Sequence, residues 1–160
     1  MQKAMKENQL NTQQIDALLQ REHVGHFATI NEDGHPYVAP MHYVYMDGKI
    51  YMHGLAQGQK TENFKRNPLV GFEVQHCGEM KISKTAMTAC NVNTEYESVI
   101  ITGKAKITED FEEKKKALWA IVKKYVPELE TLPMPDARIH GTAVMEIAIE
   151  SITGKYYKED

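Results

Sequence analysis

The chain has 160 residues, of which 42% are apolar and 26% are charged, values that are typical of one globular domain and do not indicate disorder. The formal net charge of -3 argues against bulk binding of nucleic acid, and no apolar run is long enough to cross a bilayer. The N-terminal segment lacks the apolar core of a signal peptide. Cys77 and Cys90 form neither a CxxC pair nor a zinc-ligand pair, so we expect a reducing, cytoplasmic location.

The first half of the chain predicts a short helix followed by hairpin-linked strands. Asn11 and Gln14 have the spacing of a capping box, which predicts a helix over residues 12–21. Alternating apolar residues predict strands over 26–30, 36–45 and 49–53, separated by the turn sequences Asp33-Gly34 and Asp47-Gly48. Helical spacing between Gly58 and Asn67 then predicts a second helix, which Asn67-Pro68 ends.

The second half predicts strands over 69–75, 96–108 and 142–152, with a long irregular loop over 76–95. Asp110 and Glu113 predict the start of a third helix, whose apolar stripe runs to Tyr125. The whole chain therefore reads as one domain, 1–160, mainly β with peripheral helices. It has a barrel over about 23–152 with about six antiparallel strands.

A glycine-rich turn precedes the second predicted helix. The segment GLAQGQK, residues 54–60, brings Gly58, Gln59 and Lys60 to the start of that helix, where backbone N–H groups and a positive charge suit a phosphate. An ordinary strand-to-helix turn with a solvated lysine has the same spacing. Both interpretations stay open on the residues alone.

Five segments in this order resemble the FMN-binding split-barrel flavoproteins, the superfamily that includes pyridoxamine 5'-phosphate oxidase. They are APMHYVY, DGKIYMHG, GQK, NPLVGFEV and YESVIITGKA, and the resemblance runs from about residue 23 to residue 151. Within the superfamily the nitroimidazole-resistance branch is most similar. The resemblance implies a six-stranded antiparallel Greek-key split β-barrel that forms an obligate homodimer, with FMN in each of two grooves between the subunits.

The resemblance also implies a set of site residues. The strand with Pro40, Met41, His42 and Tyr43 would lie along the isoalloxazine ring, and its backbone would hydrogen-bond the ring edge. The remaining cofactor-binding residues are Gly54, Gly58, Gln59 and Lys60 at the phosphate, Glu97, Ser98 and Val99 at the phosphate or ribityl chain, and His53, which is also the catalytic candidate. A neutral imidazole at His53 could donate a hydrogen bond or a proton to a substrate.

Each of these assignments has a structural alternative. Met41 and Tyr43 are also ordinary core residues, and His53 is also a histidine satisfied by a hydrogen bond at the end of the barrel. Glu97 and Ser98 are also a polar pair on an edge strand. The phosphate site has fewer basic residues than pyridoxamine phosphate oxidases use, so we do not expect that particular activity.

The implied function is an FMN-dependent oxidoreductase that reduces small planar acceptors such as nitroimidazoles. No GxGxxG follows a predicted strand, so NAD(P)H as donor would have to stack directly over the flavin. The histidines lack metal-ligand spacing, so no metal site is predicted, and neither nucleic acid nor membrane is expected as a partner. A non-catalytic flavin- or haem-binding module of the same fold is the alternative, and a dimer without cofactor is a third.

Overall fold

A computed structural model describes residues 7–82 and 87–158, which form one antiparallel sheet with helices packed around it. The helices are α1 (Thr12–Arg21), α2 (Gln59–Arg66), α3 (Phe111–Tyr125) and α4 (Asp136–Gly141), with a 3-10 turn at Pro127–Leu129. The strands are β1 (Val24–Ile30), β2 (Pro36–His42), β3 (Val44–Met46), β4 (Lys49–Gly54), β5 (Leu69–Ile82), β6 (Val92–Ile107) and β7 (Ala143–Tyr157). None of the described helices is long and apolar enough to span a membrane.

The strand order is β2-β1-β5-β6-β7-β4-β3, so β2 and β3 lie at opposite edges of the sheet. These two strands are nevertheless consecutive in the chain, separated by Tyr43 alone. The sheet must therefore curl until its two edges approach each other at this residue. No hydrogen-bonded ladder joins β2 to β3 within the described ranges, so the sheet is not closed.

The mainly β architecture with peripheral helices is confirmed, but the strand number differs from the prediction. The described sheet has seven strands rather than six, because the single strand expected over 36–45 is divided at Tyr43. Helix α1 has the predicted bounds. Its capping box is formed, with the Asn11 side chain accepting from the Gln14 N–H at 3.0 Å and the Gln14 side chain accepting from the Asn11 N–H at 2.8 Å.

The predicted loop over 76–95 is wrong. Strands β5 and β6 continue as a hairpin to the pair Ile82–Val92, with a bulge between Cys77 and Met80. This extension is exposed on most of its surface, so it lacks the apolar alternation that burial imposes on the rest of the sheet. The last strand also runs further than expected, to Tyr157 rather than residue 152. Residues 83–86 lie outside the described ranges.

Two layers of apolar packing hold the sheet and its helices together. The concave side encloses one cluster, to which α1 contributes Ile15, Leu18 and Leu19. The other cluster lies where α3 packs on the opposite face of β3, β4 and β7, through Ala117, Leu118 and Ile121. Strand β4 serves both layers because its side chains alternate: Ile50 and Met52 face the first cluster and Tyr51 faces the second.

Candidate functional site

The corner between β2 and β3 is built around Tyr43, one of the predicted cofactor residues. Its phenol is fully buried, and its hydroxyl donates to the carbonyl of Leu19 at 2.9 Å. The Tyr43 N–H donates to the Tyr125 hydroxyl at 2.9 Å, and that hydroxyl lies 2.8 Å from the Tyr43 carbonyl oxygen. Burial raises the pKa of the Tyr43 hydroxyl, with the charge of Tyr125 second. Tyr43 is therefore a core residue whose backbone polar groups already have partners.

The other residues predicted along the flavin ring belong to β2, an edge strand. Residues Pro40, Met41 and His42 pair with β1 on one side, and no strand pairs with the other side within the described ranges. In an antiparallel pair, every second residue of an edge strand directs its N–H and C=O away from the neighbour. The free edge of β2 can therefore hydrogen-bond a planar ligand or another chain.

His42 and His53 lie close enough to affect each other. The His42 imidazole stacks on the ring of Tyr125, with 4.6 Å between ring centroids and an interplanar angle of 26°. His53 lies near the end of β4 with part of its surface in contact with solvent. Its pKa is lowered by burial among protein atoms and, second, by the charge of His42. At neutral pH His53 is therefore mainly an uncharged imidazole, which can donate one hydrogen bond and accept another.

The N-terminus of α2 has the features expected of an anion site. Gly58 precedes the helix with a φ of 127°, a conformation that L-residues rarely adopt, and no side chain among the described residues caps the helix. The first intrahelical bond runs from the Glu62 N–H to the Gly58 carbonyl, so the N–H groups of residues 59–61 lack helical acceptors. Within the described ranges, the Lys60 ammonium makes no hydrogen bond or ion pair. These features fit a phosphate group.

A family model described as pyridoxamine 5'-phosphate oxidase matches residues 11–156. The chain belongs to this family. The search of curated proteins found no match.

Several solved structures of other proteins have a similar fold. A candidate 5-nitroimidazole antibiotic resistance protein from Bacteroides thetaiotaomicron has a TM-score of 0.79 at 24% identity, over 92% of this chain and 86% of that chain. A flavocytochrome from Azotobacter vinelandii has a TM-score of 0.80 at 24% identity, over 93% of this chain and 68% of that one. The FAD and heme binding protein from Mycobacterium smegmatis has a TM-score of 0.82 at 16% identity, over 95% and 74%. At these identities the similarity establishes the fold alone.

In this member of the oxidase family, α2 is held by a buried amide that sequence reasoning noted only for its helical spacing. Asn63 is fully buried, and its Nδ2 donates to Thr29 Oγ1 at 3.0 Å and to Asn31 Oδ1 at 2.8 Å. Its Oδ1 accepts from Gln59 Nε2 at 2.9 Å. The side chain of the predicted phosphate ligand Gln59 is thus bonded within α2 itself, to Asn63. Its backbone N–H stays available to an anion.

The electrostatics around α2 are not uniform. A hollow beside the helix start is lined by Asn31, Glu32, Asp33 and Gln59, and its two carboxylates oppose the binding of an anion there. A phosphate bound at the start of α2 would therefore lie on the side of Lys60. That residue alone supplies a positive charge in the first turn of α2.

Two buried hydroxyls lack a hydrogen-bond partner among the described residues, Thr61 Oγ1 and Ser98 Oγ. Burying an unpaired hydroxyl costs about 1–3 kcal/mol, so such groups are uncommon without a reason. Ser98 was a predicted cofactor residue. Thr61, the neighbour of Lys60 on α2, was missed, because a threonine inside a short amphipathic helix gives no sequence signal.

The remaining predicted residues are not brought to α2 within one chain. Leu69, just after α2, pairs with Lys104, whereas Ser98 pairs with Gln75. At about 3.4 Å per residue, Ser98 lies about 20 Å along β6 from Lys104. The Glu97 carboxylate forms an ion pair with the Arg21 guanidinium, with 2.6 Å between Oε2 and Nη2, and the Val99 side chain faces the core. Residues 97–99 and Lys60 could therefore bind the same phosphate only if they belong to two different chains.

Proposed function

We propose that the protein is a cytoplasmic, homodimeric, FMN-dependent oxidoreductase of the split-barrel class that reduces small planar acceptors such as nitroimidazoles. The observation that carries this proposal is the uncapped N-terminus of α2, where Lys60 follows Gly58 without any partner in the described part of the chain. In a chain that belongs to the pyridoxamine 5'-phosphate oxidase family, an FMN phosphate is the anion that this end of the helix fits best.

Three kinds of group would hold the cofactor. The N–H groups at the start of α2 and the Lys60 ammonium would bind the phosphate, because the helix dipole and the lysine charge act in the same direction. The free edge of β2, over Pro40, Met41 and His42, would hydrogen-bond the ring. Tyr43 contributes by shaping the corner, since its backbone is already bonded to Tyr125. When bound, FMN supplies the hydride and electron transfer.

His53 is the residue of this chain that we propose for the substrate side. Its pKa is lowered, so at pH 7 the imidazole is uncharged and acts first as a hydrogen-bond partner of the acceptor. Delivering a proton would require the imidazolium form, because a neutral imidazole that lost its remaining N–H would become a strongly basic imidazolate. The lowered pKa makes the His53 imidazolium a stronger acid but a minor species at pH 7, so the main role of the ring is hydrogen bonding to the acceptor.

The dimer is supported by the outer face of the sheet. The register places apolar residues of four strands on the same face, and they stay exposed in one chain: Val24 at 42%, Ile30 at 37%, Val38 at 56%, Leu69 at 54% and Ile100 at 48%. Several exposed apolar side chains on one face of a sheet, here around the His26–Glu73 ion pair, are typical of an interface. A second copy on this face would also bring residues 97–99 of one chain toward a site built by the other.

The phosphate assignment is tested by comparing Lys60→Ala with Lys65→Ala on the same helix. Losing a charge-assisted contact should weaken FMN binding about 10- to 150-fold, measured by quenching of flavin fluorescence. Lys65 lies in the last turn of α2, half-exposed beside Glu62, so its substitution should leave the dissociation constant within about twofold. Equal effects of the two substitutions, or none, would remove Lys60 from the site.

The dimer is tested with Val38→Asp and Leu132→Asp. Both side chains are 56% exposed, but only Val38 lies on the outer face of the sheet. We expect Val38→Asp to give monomers by light scattering and to release FMN, whereas Leu132→Asp stays dimeric. A monomer that keeps its flavin would contradict a groove shared by two subunits.

Turnover separates the oxidoreductase from a binding module. The protein would be mixed anaerobically with FMN, NADH or NADPH, and a 5-nitroimidazole, while the flavin absorbance is followed. Bleaching by the nicotinamide and recovery with the nitro compound would support the enzyme. A bound flavin that never cycles would indicate a module that only stores or carries it. Some proteins of similar fold are described as binding heme, so a Soret band in the purified protein would indicate haem instead.

A further inference from the structure

The last turn of α3 supplies the polar partners that the chain lacks where it passes from one edge of the sheet to the other. At this point no strand of the described part of the chain pairs with Tyr43, yet its N–H and C=O are buried with the residue. Unpaired backbone groups at such a place would be costly. The Tyr125 hydroxyl accepts from the Tyr43 N–H at 2.9 Å, and its single proton faces two carbonyl oxygens, that of Tyr43 at 2.8 Å and that of His23 at 2.7 Å.

The ring of Tyr125 packs against two histidine rings. It stacks on the His42 imidazole at 4.6 Å, and the His23 ring meets it edge-on at 5.4 Å. The preceding residue adds a further hold, because Lys124 Nζ donates to the Leu19 carbonyl at 3.0 Å and lies 4.0 Å from the centre of the Tyr43 ring. Tyr125 therefore links the end of β2, the start of β3 and the residue that precedes β1.

We infer that Tyr125 is a positioning residue for the proposed flavin site, holding the Tyr43 peptide through its hydroxyl and the His42 imidazole through its ring. The inference rests on the proposed function for its link to the cofactor. Residues 40–42 are the part of β2 proposed to run along the flavin ring, and they end at the peptide that Tyr125 grips. Small displacements of such a strand weaken ligand hydrogen bonds, because those bonds depend steeply on distance and angle.

Tyr125→Phe is the variant that tests this role, because it keeps the ring and its stacking and removes the hydroxyl alone. The matched control is Tyr51→Phe. The Tyr51 hydroxyl donates to Glu113 Oε1 at 2.6 Å near the start of the same helix, away from the β2–β3 corner. Both variants remove one tyrosine hydroxyl between α3 and the sheet: Tyr51→Phe loses one hydrogen bond, and Tyr125→Phe loses the bond accepted from the Tyr43 N–H and the bond donated to a carbonyl. A purely stabilising role would give them the same consequences.

The measurements are amide hydrogen exchange at Tyr43, the ring signals of His42 by NMR, and the dissociation constant for FMN. In Tyr125→Phe we expect Tyr43 exchange to accelerate and FMN binding to weaken by about tenfold, the effect of one net hydrogen bond. We also expect the His42 signals to shift. In Tyr51→Phe, the exchange rate and the FMN constant should stay within about twofold of the unsubstituted protein.

The outcomes separate this inference from the proposed function. If the unsubstituted protein does not bind FMN, the proposed function fails, while exchange at Tyr43 and the His42 signals still decide whether Tyr125 positions the corner. If FMN binds but Tyr125→Phe binds it equally well, or if Tyr51→Phe weakens it as much, the positioning role is refuted. Urea unfolding of both variants shows that each is folded.

Discussion

The buried amide of Asn63 gives the sharpest test of how the candidate phosphate site is held. We predict that Asn63→Ala destabilises the protein and loosens the start of α2. Asn63 makes three side-chain hydrogen bonds of 3.0 Å or less, to Thr29, Asn31 and Gln59, and a fourth from Arg66 at 3.3 Å. The change removes all four and leaves a cavity where the amide was.

The expected loss follows from which partners stay buried. Asn31 and Gln59 can bond to water, so each contributes little to the loss. Thr29 is 1% exposed and would keep only its long 3.4 Å bond to the Tyr37 carbonyl. A buried hydroxyl left nearly unpaired costs about 1–3 kcal/mol, and the lost net bonds add about 1 kcal/mol. The free energy of unfolding should therefore fall by about 2–4 kcal/mol.

Urea unfolding followed by circular dichroism measures this change, with FMN binding as the second assay. A small protein loses about 2 kcal/mol of stability per molar urea, so the midpoint should fall by about 1–2 M. The control is Asn91→Ala, which removes an exposed side chain that accepts from Thr88 N at 3.1 Å and Thr88 Oγ1 at 2.8 Å. If both variants lose less than about 0.5 kcal/mol, the Asn63 network does not anchor α2 and the reasoning is refuted.

Three further predictions concern titration and packing. Because the pKa of His53 is lowered in the folded protein, the unfolded chain binds a proton at His53 more tightly, so the free energy of unfolding falls as pH drops from about 7 to 5. His53→Gln should reduce this loss of stability. The variant should still bind FMN and should change the rate at which the acceptor reoxidises the flavin. Burial lowers the pKa of Lys124 from 10.5 to about 8, so the unfolding free energy should rise as pH rises between those values, and Lys124→Met should lose that rise in urea titrations. A Cβ at Gly103 would lie 2.2 Å from the Ala148 carbonyl oxygen, so Gly103→Ala should cost about 1–3 kcal/mol by thermal unfolding, while Gly141→Ala, with open space around the Cβ, costs far less.

Local patterns in the sequence predicted the elements whose cause is local. The Asn11–Gln14 capping box lies within four residues, and helix α1 begins and ends where that pattern indicates. The alternation of Val99, Ile101 and Ala105 likewise predicted the buried face of β6. Where one face of a strand packs on the core, every second residue is apolar, and this alternation predicts the strand from the sequence.

The features that were missed have distant causes. The alternation around Tyr43 continues without interruption, so nothing local marks the break between β2 and β3; the break is stabilised by Tyr125, 82 residues further along the chain. The hairpin beyond Cys77 is exposed, so burial imposes no period on it. The side chain of Asn63 matters because it bonds Thr29 on β1, whereas Thr61 stands out because its buried hydroxyl lacks a partner among the described residues. The sequence of α2 alone predicts neither feature.

Titration of the purified protein with FMN tests the central claim most directly. We expect one flavin per chain, bound by a dimer, with quenched fluorescence and an affinity that falls about 10- to 150-fold in Lys60→Ala. Protein that stays colourless and leaves the fluorescence of added FMN unchanged at every concentration would contradict it.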